Sequence, residues 1–387
     1  MIPYGRQVIS KEDIEAVKSV LESDFLTQGP LVPVFEEEVA KFCGCKLGVG
    51  VNSATSALHI ACMALELGPN DWLWTSTNSF VASANCAIYC GAKVDFVDIN
   101  NNDFCLSIEY LEEKLIQADK DNRLPKIVVA VHFAGTPCDM PRLHDLSQKY
   151  NFKIIEDASH AIGASGYGSQ IGDCKFSDIT VFSFHPVKII TTGEGGMALT
   201  NDDTLYNKML KYRGHGITRD KKSFSNFETG DWYYEQIDIG FNYRLTDIQS
   251  ALGLSQLKSI DKFLSIRQEL RDRYNSLIID KLPVSTVTNN KNVISSNHLY
   301  PIQVNLDETR KTRLEIFNYL RSAGIGVNVH YIPIHTQPYY KNRANSETVL
   351  PNAERYYERA LSLPLHPSLT YSQQEFIVSQ LSSIIEA

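Results

Sequence analysis

Lys188 stands in the run SFHPVKIITTGEGG, and Asp157 closes the earlier run FKIIED. An acid ending an apolar strand, a lysine among small and β-branched residues, and a glycine-rich turn follow one another in that order. A lysine amine becomes a nucleophile when partial burial and a nearby cationic centre lower its pKa. Such an amine can hold the aldehyde of pyridoxal phosphate as a Schiff base, and a carboxylate can keep the pyridine nitrogen protonated. Displaced by an amino donor, the amine can move a proton at the donor's α-carbon. The chemistry implied is of the transaminase type. As a solvated surface charge Lys188 would need a surface helix, which this apolar run does not offer, whereas Asp157 could also serve as an ordinary helix N-cap.

Other residues fall into the same scheme. His160, three positions after Asp157, is placed to contact the cofactor's phenolic oxygen, or else to be a core histidine. NSATSAL (52–58) follows a strand and opens a helix, so the backbone N–H groups of Ala54 and Thr55 can meet a phosphate at the positive helix end. Ser183, just before Lys188, adds a hydroxyl. Phe80 follows the strand DWLWTS and can stack on the cofactor's face, with ordinary core as the alternative.

These residues need a scaffold, and the chain alternates strand-like and helix-like segments over its first two-thirds. Strands are predicted at 46–51, 71–76, 93–99, 126–132, 152–157, 178–184 and 195–200. Helices are predicted over 11–22, 54–67, 80–90, 107–118, 140–150 and 202–212. Near-continuous apolar strands separated by helices imply an α/β fold with a mostly parallel mixed sheet covered on both faces. Ligands gather at the carboxyl ends of such strands. Residues 216–242 are too long for a simple connector and read as a functional or interface loop. Helices over 246–256 and 261–279 follow. Strands at 298–304 and 324–331, with helices over 309–323, 353–361 and 372–385, predict a small C-terminal α+β domain. The division expected is a large domain over 1–260, with residues 1–30 contributing to the substrate site, and a small one over 261–387.

Composition bounds the rest. The 387 residues are 43% hydrophobic and 21% charged, which is ordinary for a globular chain. A net charge of -8 argues against a general nucleic-acid or anionic-membrane surface but not against an anionic substrate held by local donors. The eight cysteines include no CxxC pair, so reduced thiols of a cytoplasmic protein are expected, with no metal site. The first residues have no apolar signal-like core, and no run reaches the length of a membrane helix.

LTQGP, NSATSAL, EDASHAIG, SFHPVK with TTGEGG, and NYRLTDIQSALGLSQL occur in order along the whole chain. This set resembles the DegT/DnrJ/EryC1/StrS sugar aminotransferases, which act on nucleotide-linked keto sugars. IPYGRQ, SDFLTQGP, SNHLYPI and HYIPIH look most like the pseudaminic acid branch of that family. The resemblance implies an aspartate aminotransferase-like fold (fold type I) with pyridoxal 5'-phosphate as cofactor. It also implies a UDP-linked 4-keto sugar and L-glutamate as substrates, and a homodimer with shared active sites. Lys188 would carry the cofactor and Asp157 would pair with its ring nitrogen. Ala54, Thr55 and Ser183 would hold the phosphate, with Asn242 reaching it from the neighbouring subunit. Tyr4, the segment Asp24, Phe25, Leu26 and Thr27, and the segment His330, Tyr331, Ile332 and Pro333 would line the sugar nucleotide site together with Ala54, Ser183 and Asn242. His298 and Tyr300 are further candidates there.

Two features depart from the family pattern. Asn78 stands where proline is common before the stacking aromatic, and the stretch 219–238 is longer than expected. Branches of the family that remove hydroxyl groups replace the lysine by histidine, so Lys188 argues against that chemistry. A ligand-sensing regulator would carry a DNA-binding module, and neither end has a helix-turn-helix or a basic region.

Overall fold

The computed structural model describes residues 1–225, 230–288, 290–341 and 349–387. Apolar, β-branched runs form the strands β1 (Leu47–Val51), β2 (Trp72–Ser76), β3 (Lys93–Val97), β4 (Ile127–Val131), β5 (Lys153–Asp157), β6 (Ile179–Ser183) and β7 (Gly196–Thr200). Among the described residues they make one sheet in the order β1-β7-β6-β5-β4-β2-β3. Pairing is parallel from β6 through β5, β4 and β2 to β3, while β7 runs antiparallel to both β6 and β1. The carboxyl ends of β1, β2, β4, β5 and β6 therefore share one edge with the amino end of β7. Every residue of β4 is buried, as a central strand covered on both faces requires.

Two helices border the site, and a third packs behind it. Ala54–Ala64 starts at Ser53, whose hydroxyl accepts from Ser56 N at 3.1 Å. Ala82–Tyr89 follows β2. Leu31–Cys43, which the sequence reading passed over, ends on Gly44 in the left-handed conformation (φ 76°). Its VFEEEVAKF pattern has helical spacing, and Pro33 is tolerated because it lies in the first turn.

The helix Ile260–Ile278 runs between two cores. Ile260 and Phe263 pack with Phe35, Phe184 and Leu245, whereas Leu270, Tyr274 and Ile278 pack with the C-terminal residues. There β8 (Val284–Thr286), β9 (Tyr300–Val304) and β10 (Ala360–Leu363) form an antiparallel sheet. Ile334, Tyr340, Leu350, Ala353 and Tyr356 pack back into the core of the large sheet.

Two expectations need correction here. Residues 324–331 form no continuous strand: Ile325 bridges Ile2 and Asn328 bridges Ser362, so each partner takes a single residue. The helix expected to run to Leu361 ends at Arg359, and the buried residues ALSL that follow form β10 beside β9. The stretch 216–242 contains a short ladder, Ile217–Thr218 against Glu235–Gln236, while its residues 226–229 lie outside those described. Trp232 is 80% exposed at this hairpin.

Candidate active site

A cavity of about 540 Å³ opens at the shared edge of the sheet. Its wall brings together Tyr4, Ala54, Thr55, Phe80, Asp157, His160, Ser183, Lys188, His298, His330 and Tyr331 from segments far apart in the chain. Asp157 is the last residue of β5 and Ser183 the last of β6, so strand register sets their height. Lys188 follows a turn in which its N–H donates to His185 O at 2.9 Å. Burial pushes its amine down from the ordinary lysine range to about 8, against the opposing pull of the Asp157 carboxylate. An amine in that range is about one-tenth unprotonated at pH 7, far more than an ordinary lysine.

Asp157 is buried and accepts three hydrogen bonds. Ser83 Oγ donates to Oδ2 at 2.6 Å, while Ser159 donates its Oγ (2.6 Å) and its N–H (3.2 Å) to Oδ1. His160 stacks near-parallel to Tyr331 and shares a 3.1 Å hydrogen bond with the Tyr331 hydroxyl through Nε2. Its Nδ1 is buried without a partner among the described residues. Burial, then the Lys188 charge, holds its pKa well below the ordinary histidine value, so the ring is neutral. His298 and His330 are depressed in the same way, His330 to about 3. Burial drives the phenol of Tyr331 up, so it stays protonated.

The helix start beside this wall is shaped for an anion. The N–H groups of Ala54 and Thr55 belong to the first turn and have no intrahelical acceptor. Gly196 lets β7 approach closely, since a Cβ there would lie 2.4 Å from Ala54 N. A donor cradle for phosphate, a carboxylate for a ring nitrogen, an orphaned imidazole nitrogen and a low-pKa lysine are the donor set that pyridoxal phosphate requires.

The N-terminal segment reaches the cavity by a backbone clasp. Ile2 N donates to Gly324 O and Gly326 N to Ile2 O, both at 2.7 Å, which sets Tyr4 5.4 Å from the His330 ring. His330 is fixed by Ser362 Oγ (2.8 Å) and Asn328 Nδ2 (3.3 Å). Asn78, at the position where proline is common, is buried, and its Oδ1 accepts from Tyr331 N at 3.1 Å.

Several expected residues lie elsewhere. Tyr300 is buried in the C-terminal core, stacked 4.7 Å from Tyr274 and bonded to Asn275, because β9 directs it into its own sheet. Asp24 and Phe25 line a separate groove beside the helices 11–21 and 247–257. Leu26 is exposed, and Thr27 bridges Thr246. Ile332 and Pro333 continue past the wall without lining it, and Asn242 bridges Gly214 outside it. Phe80 lies at the rim, 60% exposed. Ser79, Ser83 and Ser159 escaped the sequence reading. Only Ser159 had a local signal, the side-chain turn that an aspartate makes two residues on.

Comparison with known proteins fits this geometry. Residues 7–382 match the model of the DegT/DnrJ/EryC1/StrS aminotransferase family. A UDP-4-amino-4,6-dideoxy-N-acetyl-beta-L-altrosamine transaminase of Campylobacter jejuni is 37% identical over 386 residues, covering 100% of this chain and 98% of that protein. PseC of Helicobacter pylori, an aminotransferase of pseudaminic acid biosynthesis, superposes with a TM-score of 0.90 at 32% identity, over 100% and 99% of the two chains. The PLP form of the sugar aminotransferase Spr1654 of Streptococcus pneumoniae gives 0.88 at 28% identity, over 100% and 98%. The fold is thus that of the type I pyridoxal phosphate enzymes, and the chain belongs to the DegT/DnrJ/EryC1/StrS family as a PLP-dependent sugar aminotransferase.

Proposed function

We propose that the enzyme transfers the amino group of L-glutamate to the 4-keto group of a UDP-linked N-acetyl-4-keto-6-deoxy sugar. The products are 2-oxoglutarate and UDP-4-amino-4,6-dideoxy-N-acetyl-β-L-altrosamine. The observation carrying this reading is the full-length identity to the altrosamine transaminase, and the cavity that sets Tyr4, His330 and Tyr331 around Lys188 is compatible with it.

The residue roles follow from charge and position. When bound, the cofactor supplies an aldehyde that exchanges amino groups and a ring that accepts electrons. Lys188 holds it, then removes the donor's α-proton and returns a proton at the sugar's C4, its low pKa allowing both directions near neutrality. Asp157 keeps the ring nitrogen protonated, neutral His160 hydrogen-bonds the ring's oxygen substituent, and Phe80 covers its face. Ala54, Thr55 and Ser183 hold the phosphate. Tyr4, His330 and Tyr331 border the sugar in this reading, while the segments 24–27 and 332–333, which the resemblance assigned to it, lie off the cavity wall of their own chain.

Asn242 is assigned to the phosphate of a second copy in a homodimer. Its position outside the cavity of its own chain suits that role. Selection among epimeric keto sugars rests on pairing ring hydroxyls and the N-acetyl group with buried donors, since a mismatched sugar leaves those donors unpaired.

The competing reading is amination of another nucleotide 4-keto sugar, of the bacillosamine, legionaminic acid, 4-amino-arabinose or dTDP-amino sugar type. The deciding experiment offers the purified enzyme L-glutamate and a panel of UDP- and dTDP-4-keto sugars, with products identified by mass and NMR. Preference for the L-arabino epimer supports the assignment. Preference for the D-xylo epimer in direct competition removes it and leaves the aminotransferase.

A further inference from the structure

The carboxylate of Asp157 is held from one side by a chain of hydroxyls that lies outside the family motifs. Ser83 is fully buried on the first turn of the helix Ala82–Tyr89, and its Oγ lies 2.6 Å from Asp157 Oδ2. A carboxylate can only accept, so Ser83 is the donor in this contact. Its oxygen then accepts from Ser79 Oγ at 2.7 Å, and Ser79 lines the cavity. Hydroxyl-to-carboxylate bonds of this length are charge-assisted, and a second hydroxyl behind the first strengthens it by polarisation. A buried serine near a helix start can instead return its proton to the preceding turn, as Ser250 does to Thr246 O. Ser83 spends it on Asp157. Its backbone N–H meanwhile donates to Phe80 O at 3.3 Å, joining the same turn to the aromatic at the cavity rim.

We propose that Ser83, backed by Ser79, is a positioning residue for Asp157: it fixes the direction of Oδ2 and stabilises the carboxylate charge assigned to the cofactor's ring nitrogen. The inference rests on that assignment of Asp157. Because the ring nitrogen serves both substrates, loss of the Ser83 hydroxyl should weaken cofactor binding and slow both half-reactions by one common factor.

The test uses the full chain. Cofactor-free wild type, Ser83→Ala and Ser83→Thr are titrated with pyridoxal phosphate by absorbance, and each half-reaction is then timed separately in single turnover. Ser83→Ala should raise the cofactor Kd and lower both rates by roughly tenfold, the scale of one hydrogen bond to a charged group. Ser83→Thr, which keeps the hydroxyl, should restore them. In an Asp157→Asn background, Ser83→Ala should add less than twofold, because the charge it serves is gone.

A Ser83→Ala protein with wild-type Kd and rates overturns the proposal, as does a loss that persists in full on Asp157→Asn or is not rescued by threonine. If Ser83→Ala does not fold, Ser83→Cys, of similar size with a weak donor, takes its place under the same expectations. An impaired Asp157→Asn beside a silent Ser83→Ala refutes this inference alone, whereas a fully active Asp157→Asn refutes the assignment of Asp157 beneath it.

Discussion

Replacing Lys188 by methionine should abolish turnover and yet stabilise the cofactor-free protein. The amine titrates at about 8 in the folded chain, against an ordinary lysine value of 10.5, and burial is the main cause. A group whose folded pKa lies below its unfolded one binds fewer protons in the folded state, so stability rises with pH between the two values. Below about 8 the penalty is complete. At 1.36 kcal/mol per unit it amounts to about 3 kcal/mol at pH 7, falling to about 1.4 kcal/mol at pH 9.5. Methionine, of similar length and without charge, removes it. Asp157 keeps its donors Ser83 and Ser159, so loss of its attraction to Lys188 offsets only part of the gain. For a chain of this size, the difference corresponds to roughly 2–4 °C in the melting temperature at pH 7. The assay is thermal and urea unfolding of the two cofactor-free proteins at pH 7 and 9.5. A variant no more stable than wild type at pH 7 would refute the reasoning, and so would a gap that fails to narrow at pH 9.5.

Three further outcomes are expected. Asp157→Asn should still bind pyridoxal phosphate but slow both half-reactions by roughly two orders of magnitude or more, measured by single-turnover absorbance, since the ring loses its protonating partner. His330→Ala should raise the sugar KM or lower kcat in the sugar half-reaction roughly three- to tenfold and leave the glutamate half-reaction unchanged, whereas Tyr331→Phe, which cuts the bond to His160, should slow both. Mixing Lys188→Ala with Asn242→Ala protein under subunit exchange should restore activity, because a hybrid dimer holds one intact shared site, and exchange without recovery counts against sharing.

Asp157, Lys188 and the helix start at Ala54 were legible in the chain because each sits in a local run whose chemistry is complete within a few residues. The strands were legible for the same reason: runs such as IVVAV, short, apolar and rich in β-branched residues, suit a strand buried on both faces. The family order of motifs added the substrate class.

Tertiary structure decided what depends on partners distant in sequence. The run GIGVNVHY has strand composition, but Ile2 and Ser362 take its hydrogen bonds one residue at a time, and the neighbouring β10 takes the place beside β9. Tyr300 has the same side chain as Tyr331, yet strand pairing turns it into the C-terminal core while Tyr331 faces the cavity. Ser83 lies 74 positions from Asp157, so nothing in its own neighbourhood marks it as that carboxylate's donor. Asn78, marked in the sequence only as a departure from a common proline, accepts the Tyr331 N–H and helps hold that residue in place. Local runs encode which atoms can react, because reactivity depends on the type of a residue and its immediate neighbours. Which of those atoms meet, and how strongly burial shifts them, is set by long-range packing, because desolvation and hydrogen-bond partners exist only once the chain has closed on itself.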